Sequence, residues 1–397
     1  MSERRDRIMS TVSPDVAVVG GGVIGLSAAW RLAGRGAEVV VIDPDPGGGA
    51  SGVAAGMIAP VTEARWGEEP LLALTLASWS RWPAFAAEVE AESGRAVGFR
   101  ADGTLVVALG ADDRVALDDM ARRHRAMGLE VRPRRGREAR AAEPGLAPGI
   151  RAGLLAADER SVDPPALLDG LRRAAVAAGA TLLPAAVDRI VTSPGGDRVT
   201  GVSLADGAPP VRAGTVVLAA GCRSADLPGL PPDARPPVRP VKGQIVTLRQ
   251  PPGDPLLGRT VRGLVRGSSI YLVPRDDGRV AVGATVEERG WDTRPTAGGA
   301  YELLRDALAL VPGLDDAELV AVRTGLRPGS PDDLPMVGPA AVEGLVIATG
   351  HHRNGILLAP VTADAVTAAV LGEPGPDEAA VCDPRRFAAA APAEARA

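Results

Sequence analysis

The apolar positions open with a short unbroken run, Val16-Ala-Val-Val19 after Asp15, the pattern of a buried strand. The run passes into Gly20-Gly21-Gly22-Val23-Ile24-Gly25, then into a helical stretch, Leu26-Ser-Ala-Ala-Trp-Arg-Leu-Ala33. Gly34 and Gly36 end that helix, and Glu38-Val-Val-Val-Ile-Asp43 reads as a second strand. Together these segments predict a βαβ unit whose Gly-rich segment lies at the strand-to-helix turn.

Downstream, the pattern predicts a Gly/Ala-rich loop over 47–60 and helices over 70–93 and 112–128. Strand character alternates over 97–109 around Asp102-Gly103, and Ser161–Pro164 precedes a helix over 165–178 that Gly179 stops. Strands follow near 186–192, 198–204 and 215–220, the first two joined by a turn at Pro194–Asp197. After a Pro-rich connection (228–240), strands at 243–249, 269–274 and 279–286 are joined by turns such as Asp276-Asp277-Gly278, which reads as antiparallel sheet. A helix over 298–310, a strand over 344–348 and a helix over 356–371 complete the pattern. The implied class is α/β (α+β overall): a Rossmann-like domain built from separated segments, with an antiparallel-sheet domain inserted.

Composition narrows the function. The 397 residues carry a formal net charge of −5, against any strong global attraction to nucleic acid or an anionic membrane. Hydrophobic residues make up 46%, ample for buried cores. There are only three His, two Cys, two Tyr, one Lys (Lys242) and one Asn (Asn354), as a GC-rich genome would give. That poverty excludes a disulfide scaffold, a four-cysteine zinc site and a His-rich metal cage, so no metal is expected. A catalyst this short of reactive side chains has to borrow its chemistry from a cofactor. The apolar stretch Val16–Trp30 is interrupted by four glycines and is shorter than the roughly 20 residues a membrane span needs. Residues 1–13 mix Arg4, Arg5 and Arg7 with Glu3 and Asp6, a polar tail rather than a secretion signal, and the cytoplasm is the expected compartment.

Gly20-x-Gly22-x-x-Gly25 has a physical logic. Glycines permit the tight turn, and the following helix points free N–H groups at a pyrophosphate. Asp43, 18 residues beyond Gly25 at the end of the next strand, suits a ribose hydroxyl. The motif alone does not separate FAD from NAD.

Several further segments occur in one order: Ala50-Ser-Gly-Val-Ala-Ala-Gly-Met57, Thr215-Val-Val-Leu-Ala-Ala-Gly221, Tyr271-Leu-Val-Pro-Arg275, Gly283-Ala-Thr285, Gly325-Leu-Arg-Pro-Gly329 and Gly350-His-His-Arg-Asn-Gly-Ile-Leu-Leu-Ala-Pro360. With the N-terminal unit, this series resembles the D-amino-acid-oxidase-like FAD oxidoreductases over roughly residues 14–375. Within them it is most similar to the branch that oxidises glycine in thiamine biosynthesis. The resemblance implies an FAD-binding domain (14–90, 150–230 and 323–375), a substrate-binding domain (91–149 and 231–322) and flexible tails (1–13 and 376–397).

It also implies roles. Gly20, Gly22, Val23, Ile24, Gly25 and Asp43 would hold the dinucleotide. Ala50, Ser51, Ala55, Gly56 and Met57 would line the flavin, with Val187 on the adenosine half and Gly221 closing a second dinucleotide contact. Cys222-Arg223-Ser224 departs from the family's aromatic-Ser ending. His351, His352, Arg353, Asn354, Gly355, Ile356 and Leu357 would form the flavin loop, at a helix start whose positive end favours charge on the reduced ring. Arg327 would clamp the substrate carboxylate with Tyr271, supported by Arg353. A guanidinium fork suits a carboxylate as lysine does not. Lys242 reads as an ordinary surface lysine, and Val286 lies where a longer side chain would narrow the pocket.

The implied activity is oxidation of a small amino acid, glycine first, by non-covalent FAD. Its products would be the imine or glyoxylate and hydrogen peroxide from O2. A homotetramer and a thiazole synthase partner come with the resemblance; nucleic acid and membrane do not. Sarcosine or a small D-amino acid, another electron acceptor, an NAD-dependent dehydrogenase and a non-catalytic flavoprotein stay open as alternatives.

Overall fold

The computed structural model describes residues 13–251, 253 and 255–390. The N-terminal tail up to residue 12 and the last seven residues of the C-terminal tail lie outside the described residues. Strand β1 (Val16–Val19), helix α1 (Val23–Gly34) and strand β2 (Val39–Ile42) form the expected βαβ unit. Every residue of both strands is buried, because a parallel sheet is covered on both faces. β1 lies between β2 and Thr215–Leu218, with Val16 opposite Val39 on one side and Thr215 on the other. The six-stranded sheet runs Met336–Pro339, Leu345–Thr349, Thr215–Leu218, β1, β2, Thr181–Leu183. Only the first of these strands is antiparallel to its neighbour.

One face of this sheet is packed by α1 and by the helices Glu69–Ser93, Pro164–Ala177 and Ala359–Leu371. Trp30 and Trp82 meet Phe85 edge to face there, at centroid distances of 5.5 and 5.3 Å. The other face carries a three-stranded antiparallel sheet formed by Val187–Thr192, Val199–Leu204 and Val211–Arg212.

The second sheet has eight strands. Five are β3 (Arg239–Arg249), β4 (Thr260–Val265), β5 (Ser268–Pro274), β6 (Arg279–Gly283) and β7 (Glu318–Gly329). The order is β7-β3-β6-β5-β4, then Thr104–Ala108, Ala152–Ala156 and Arg132–Arg135. It is antiparallel except where β4 meets Thr104–Ala108. Strand alternation divides its side chains between two faces. Val246, Leu248, Leu272 and Val282 pack under helix Ala297–Leu310. Ile245, Tyr271 and Val273 turn the other way, against Ala55 of the Rossmann-like domain.

Several boundaries move relative to the sequence reading. Ala152–Ala156 pairs into the second sheet, and β7 runs across residue 323. The loop over 47–60 contains a short helix, α2 (Ala50–Val53), and a two-residue strand, Met57–Ile58, paired with Arg160–Ser161. The last helix begins at Ala359 instead of 356, after a single 3-10 turn at His352–Asn354. The C-terminal segment is docked where a flexible tail was expected: Asp377–Cys382 and Pro384–Ala390 are short 3-10 segments, Cys382 is buried, and Arg386 pairs with Asp332 at 2.8 Å. Among the described residues, no helix is long and apolar enough to cross a membrane.

Candidate active site

The dinucleotide end is a cradle that side chains would fill. Gly20 has φ +108°, and a Cβ there would lie 2.4 Å from the Ala219 carbonyl oxygen. A Cβ on Gly25 would lie 1.9 Å from the Gly20 carbonyl oxygen, which is how α1 approaches β1 so closely. Gly22 is the N-cap of α1 and supplies no side-chain cap, so the N–H groups of Ile24 and Gly25 open the helix without an intrahelical partner. The Val23 N–H donates to Ser51 Oγ at 3.1 Å, joining the turn to α2. Asp43 closes the cradle, accepting from the Gly21 N–H at 2.6 Å and the Asp45 N–H at 2.8 Å. An uncapped helix start beside a strand-end carboxylate is the donor and acceptor set that a dinucleotide needs, and these residues fit FAD. Gly221 starts a 3-10 turn with φ +56°, its carbonyl accepting from Thr349 Oγ1 at 2.9 Å. Beside it, Cys222 Sγ donates to the Leu326 carbonyl at 3.3 Å. Val187 lies at the start of the three-stranded sheet, opposite Leu204 and half-buried.

The segment 50–57 bridges the two domains. A Cβ on Gly325 of β7 would lie 3.2 Å from Val53 Cβ and 3.5 Å from Ala50 Cα. Gly56 has φ +74°, and its carbonyl accepts from the Val162 N–H at 2.9 Å. Arg275, the end of the Tyr271–Arg275 motif, reaches across to the carbonyls of Ala55 and, at 2.9 Å, Val162. Burial pulls its guanidinium down to about 10. Ala55, Met57 and Tyr271 thus share one small apolar cluster.

The loop at 350–357 is fixed from behind. His351 is buried with Nε2 3.0 Å from Thr362 Oγ1, and burial pushes its imidazole down to about 3, so it is neutral. His352 adopts φ +46°, and burial lowers its pKa against the opposing pull of Asp333. Asn354 is buried and its carbonyl accepts from the Leu358 N–H at 2.8 Å. Ile356 and Leu357 put their side chains into the core, and the Leu357 carbonyl accepts from Ser78 and from Trp82 Nε1. The side chains of those two residues are thus spent on packing and not on a ligand.

Arg327 and Tyr271 come together. The Arg327 guanidinium lies across Gly243 of β3, where a Cβ would be 2.4 Å from Nη1 and Nη2. Its Nη1 donates to the carbonyls of Thr285 at 3.2 Å and Lys242 at 3.4 Å. The Tyr271 ring lies across Gly283 in the same manner, with a Cβ there falling 2.3 Å from the hydroxyl. Burial pushes the Tyr271 phenol up to about 12, although the nearby Arg327 charge draws it down. Arg353 is turned to Glu63 at 3.2 Å and Glu68 at 3.0 Å, and its buried Nη1 has no partner among the described residues. Arg262 completes the pocket at 2.7 Å from Glu63. Burial raises the Glu63 pKa, but Arg262, Arg353 and the other nearby guanidiniums outweigh it and hold the carboxylate low.

Glu63, Arg262 and Gly243 carry no local signal in the sequence; only the fold brings them here. Two sequence expectations are overturned. Lys242 is not a surface lysine: it is 1% exposed, with Nζ donating to the Arg294 carbonyl at 2.7 Å and lying 3.6 Å from Glu287. It ties the 285–296 segment to the strand on which Arg327 rests. Val286 is 73% exposed and cannot narrow an enclosed pocket.

Behind Glu63, buried Glu159 accepts from the Thr62 N–H at 2.6 Å and the Thr62 hydroxyl at 2.9 Å. Burial pushes its carboxyl up to about 7. A folded value above the ordinary 4.5 favours the protonated form, so this contribution to stability is full below 4.5 and is lost as pH rises through about 7. Glu159→Gln should therefore flatten the decline of Tm between about pH 5 and pH 8, read by thermal melts across that range.

A glycine-lined dinucleotide turn on a parallel sheet, facing a guanidinium pocket on an antiparallel sheet, is the architecture of a flavin-type oxidoreductase. The chain belongs to the FAD dependent oxidoreductase family, whose model matches residues 15–369. Glycine oxidase of Pseudomonas putida is 35% identical over 371 residues, 91% of this chain and 95% of that protein. The bifunctional protein ThiO/ThiG of Synechocystis is 34% identical over 381 residues, 96% of this chain but 55% of that protein. The crystal structure of glycine oxidase from Geobacillus kaustophilus superposes with a TM-score of 0.84 at 34% identity, covering 94% of this chain and 98% of that one.

Proposed function

We propose that this chain is an FAD-dependent glycine oxidase. The observation that carries the reading is the pairing of Arg327 with Tyr271 beside the Ala55–Met57 segment. Among the described residues, no ion pair occupies Arg327, whereas Arg262 and Arg353 are both bound to Glu63. Arg327 therefore takes the incoming carboxylate, with the Tyr271 hydroxyl as second donor and Arg353 as flanking charge. Holding the carboxylate there fixes the α-carbon, and such positioning is worth several kcal/mol of barrier. The Gly20–Gly25 turn with Asp43, the 50–57 segment and the 350–357 loop would hold FAD without a covalent link, and it would supply a two-electron oxidation of the substrate coupled to reduction of O2 to hydrogen peroxide. Free in water, the imine product hydrolyses to glyoxylate and ammonia; its other fate is capture by a partner.

The side chains near the carboxylate do not act as a base. Burial makes His351 a weak proton acceptor and Thr362 occupies its Nε2, Tyr271 stays protonated, and the flanking arginines make Glu63 a weak base. Hydride loss from a neutral amine needs no strong base, so the substrate has only to shed its ammonium proton. We also propose that the imine passes to a thiazole synthase, as the resemblance implies. Support comes from the Synechocystis relative, a bifunctional protein of which this match spans 55%.

The test is peroxide release from FAD-loaded protein with glycine, sarcosine, D-alanine and D-proline at equal concentration. Glycine should give the highest kcat/KM, and no peroxide from any of them would refute the reading. Tyr271→Phe should lower glycine kcat/KM by about three- to tenfold, the worth of one neutral hydrogen bond, with the shape of the pH profile unchanged. A lost alkaline limb in that variant would show that the phenol titrates in the cycle.

A further inference from the structure

Three guanidiniums face the proposed substrate position, and carboxylates answer them unequally. Glu63 is shared by Arg262 at 2.7 Å and Arg353 at 3.2 Å, and Glu68 takes Arg353 again at 3.0 Å. Glu68 also lies 3.6 Å from Arg65, whose side chain is largely in solvent. Among the described residues, Arg327 donates to two backbone carbonyls, lies beside Tyr271, and forms no ion pair. Counting Arg262, Arg327 and Arg353 against Glu63 and Glu68 leaves one uncompensated positive charge. The negative charge of Glu63 is also felt at Tyr271, so it acts within electrostatic reach of the proposed carboxylate clamp. A largely buried charge in this position is screened little by solvent.

We propose that Glu63 sets the anionic limit of the substrate: bridging Arg262 and Arg353, it joins Glu68 in offsetting two of the pocket's three positive charges, so that one carboxylate is accepted and a second is repelled. The proposal rests on the reading of Arg327 as the carboxylate clamp. Without Glu63, Arg262 and the unpartnered Nη1 of Arg353 would be free to receive a second anionic group.

The experiment compares amines and ligands that differ by one carboxylate, on FAD-loaded wild type and Glu63→Gln. Iminodiacetate against glycine reads kcat/KM by peroxide release. Acetate against malonate reads Kd from the perturbation of the flavin spectrum, which needs no turnover. In Glu63→Gln the dicarboxylate should gain on the monocarboxylate by about tenfold or more in both ratios, since like charges at this range cost at least that much. Glu68→Gln, nearer solvent, should move both ratios the same way by a smaller factor. Ratios that stay put in Glu63→Gln overturn the proposal; if that variant does not retain flavin, unmoved ratios in Glu68→Gln do so. Wild type that oxidises no amine would sink the proposed function instead, while the acetate and malonate ratio still decides the role of Glu63.

Discussion

Replacing Arg327 by alanine should raise the glycine KM by about one to two decades, the loss of charge-assisted hydrogen bonds worth roughly 1.5–3 kcal/mol. The geometry makes this the largest single effect on substrate binding. Arg327 lies flat across Gly243 and is held by two backbone carbonyls, so its fork is set before the substrate arrives. The other two guanidiniums of the pocket are already committed to Glu63 and cannot substitute for it. Arg327→Lys should not rescue the loss, because an ammonium cannot span both carboxylate oxygens. Steady-state kinetics with glycine check this, together with the flavin to protein ratio, which should stay at the wild-type value. Unchanged kcat/KM in Arg327→Ala would remove this residue from the site.

Gly25→Ala should give a protein that purifies without FAD and melts at a lower temperature. A Cβ at this position falls 1.9 Å from the Gly20 carbonyl oxygen, a backbone atom that cannot swing aside. Overpacking of this sort costs about 1–3 kcal/mol. Relief requires α1 to lift from β1, which moves the helix start away from the pyrophosphate position. Flavin absorbance per protein and a thermal melt measure both parts. A yellow variant with the wild-type Tm would show that the turn is looser than its contacts indicate.

How far such sites can be read from sequence depends on how local their causes are. The β1-α1-β2 unit was legible because its signals lie within one continuous stretch: an unbroken apolar run, three spaced glycines, and Asp43 at the next strand end. Strands β5 and β6 were legible for the same reason, with Asp276-Asp277-Gly278 turning between them. The outer strands were not. β7 and Arg132–Arg135 are the two edges of the eight-stranded sheet, and edge strands tolerate the Pro, Gly and Arg that break an alternating pattern.

The pocket shows the same division. Tyr271, Arg327 and Arg353 are proposed from ordered motifs, and the fold brings Tyr271 and Arg327 together. The groups that set their geometry lie far away in sequence: Gly243 under Arg327, Gly283 under Tyr271, and Glu63 between Arg262 and Arg353. Lys242 was misread because a charged side chain is ordinarily at the surface; here a carbonyl and Glu287 satisfy it inside.

The central claim is that glycine held by Arg327 and Tyr271 delivers its electrons to the bound flavin. Titrating FAD-loaded protein with glycine in the absence of oxygen tests it most directly. Glycine should bleach the flavin's visible absorbance completely in wild type, and admitted oxygen should restore it with one peroxide per flavin. A flavin that glycine leaves oxidised, while sarcosine or a D-amino acid bleaches it, would contradict the assignment.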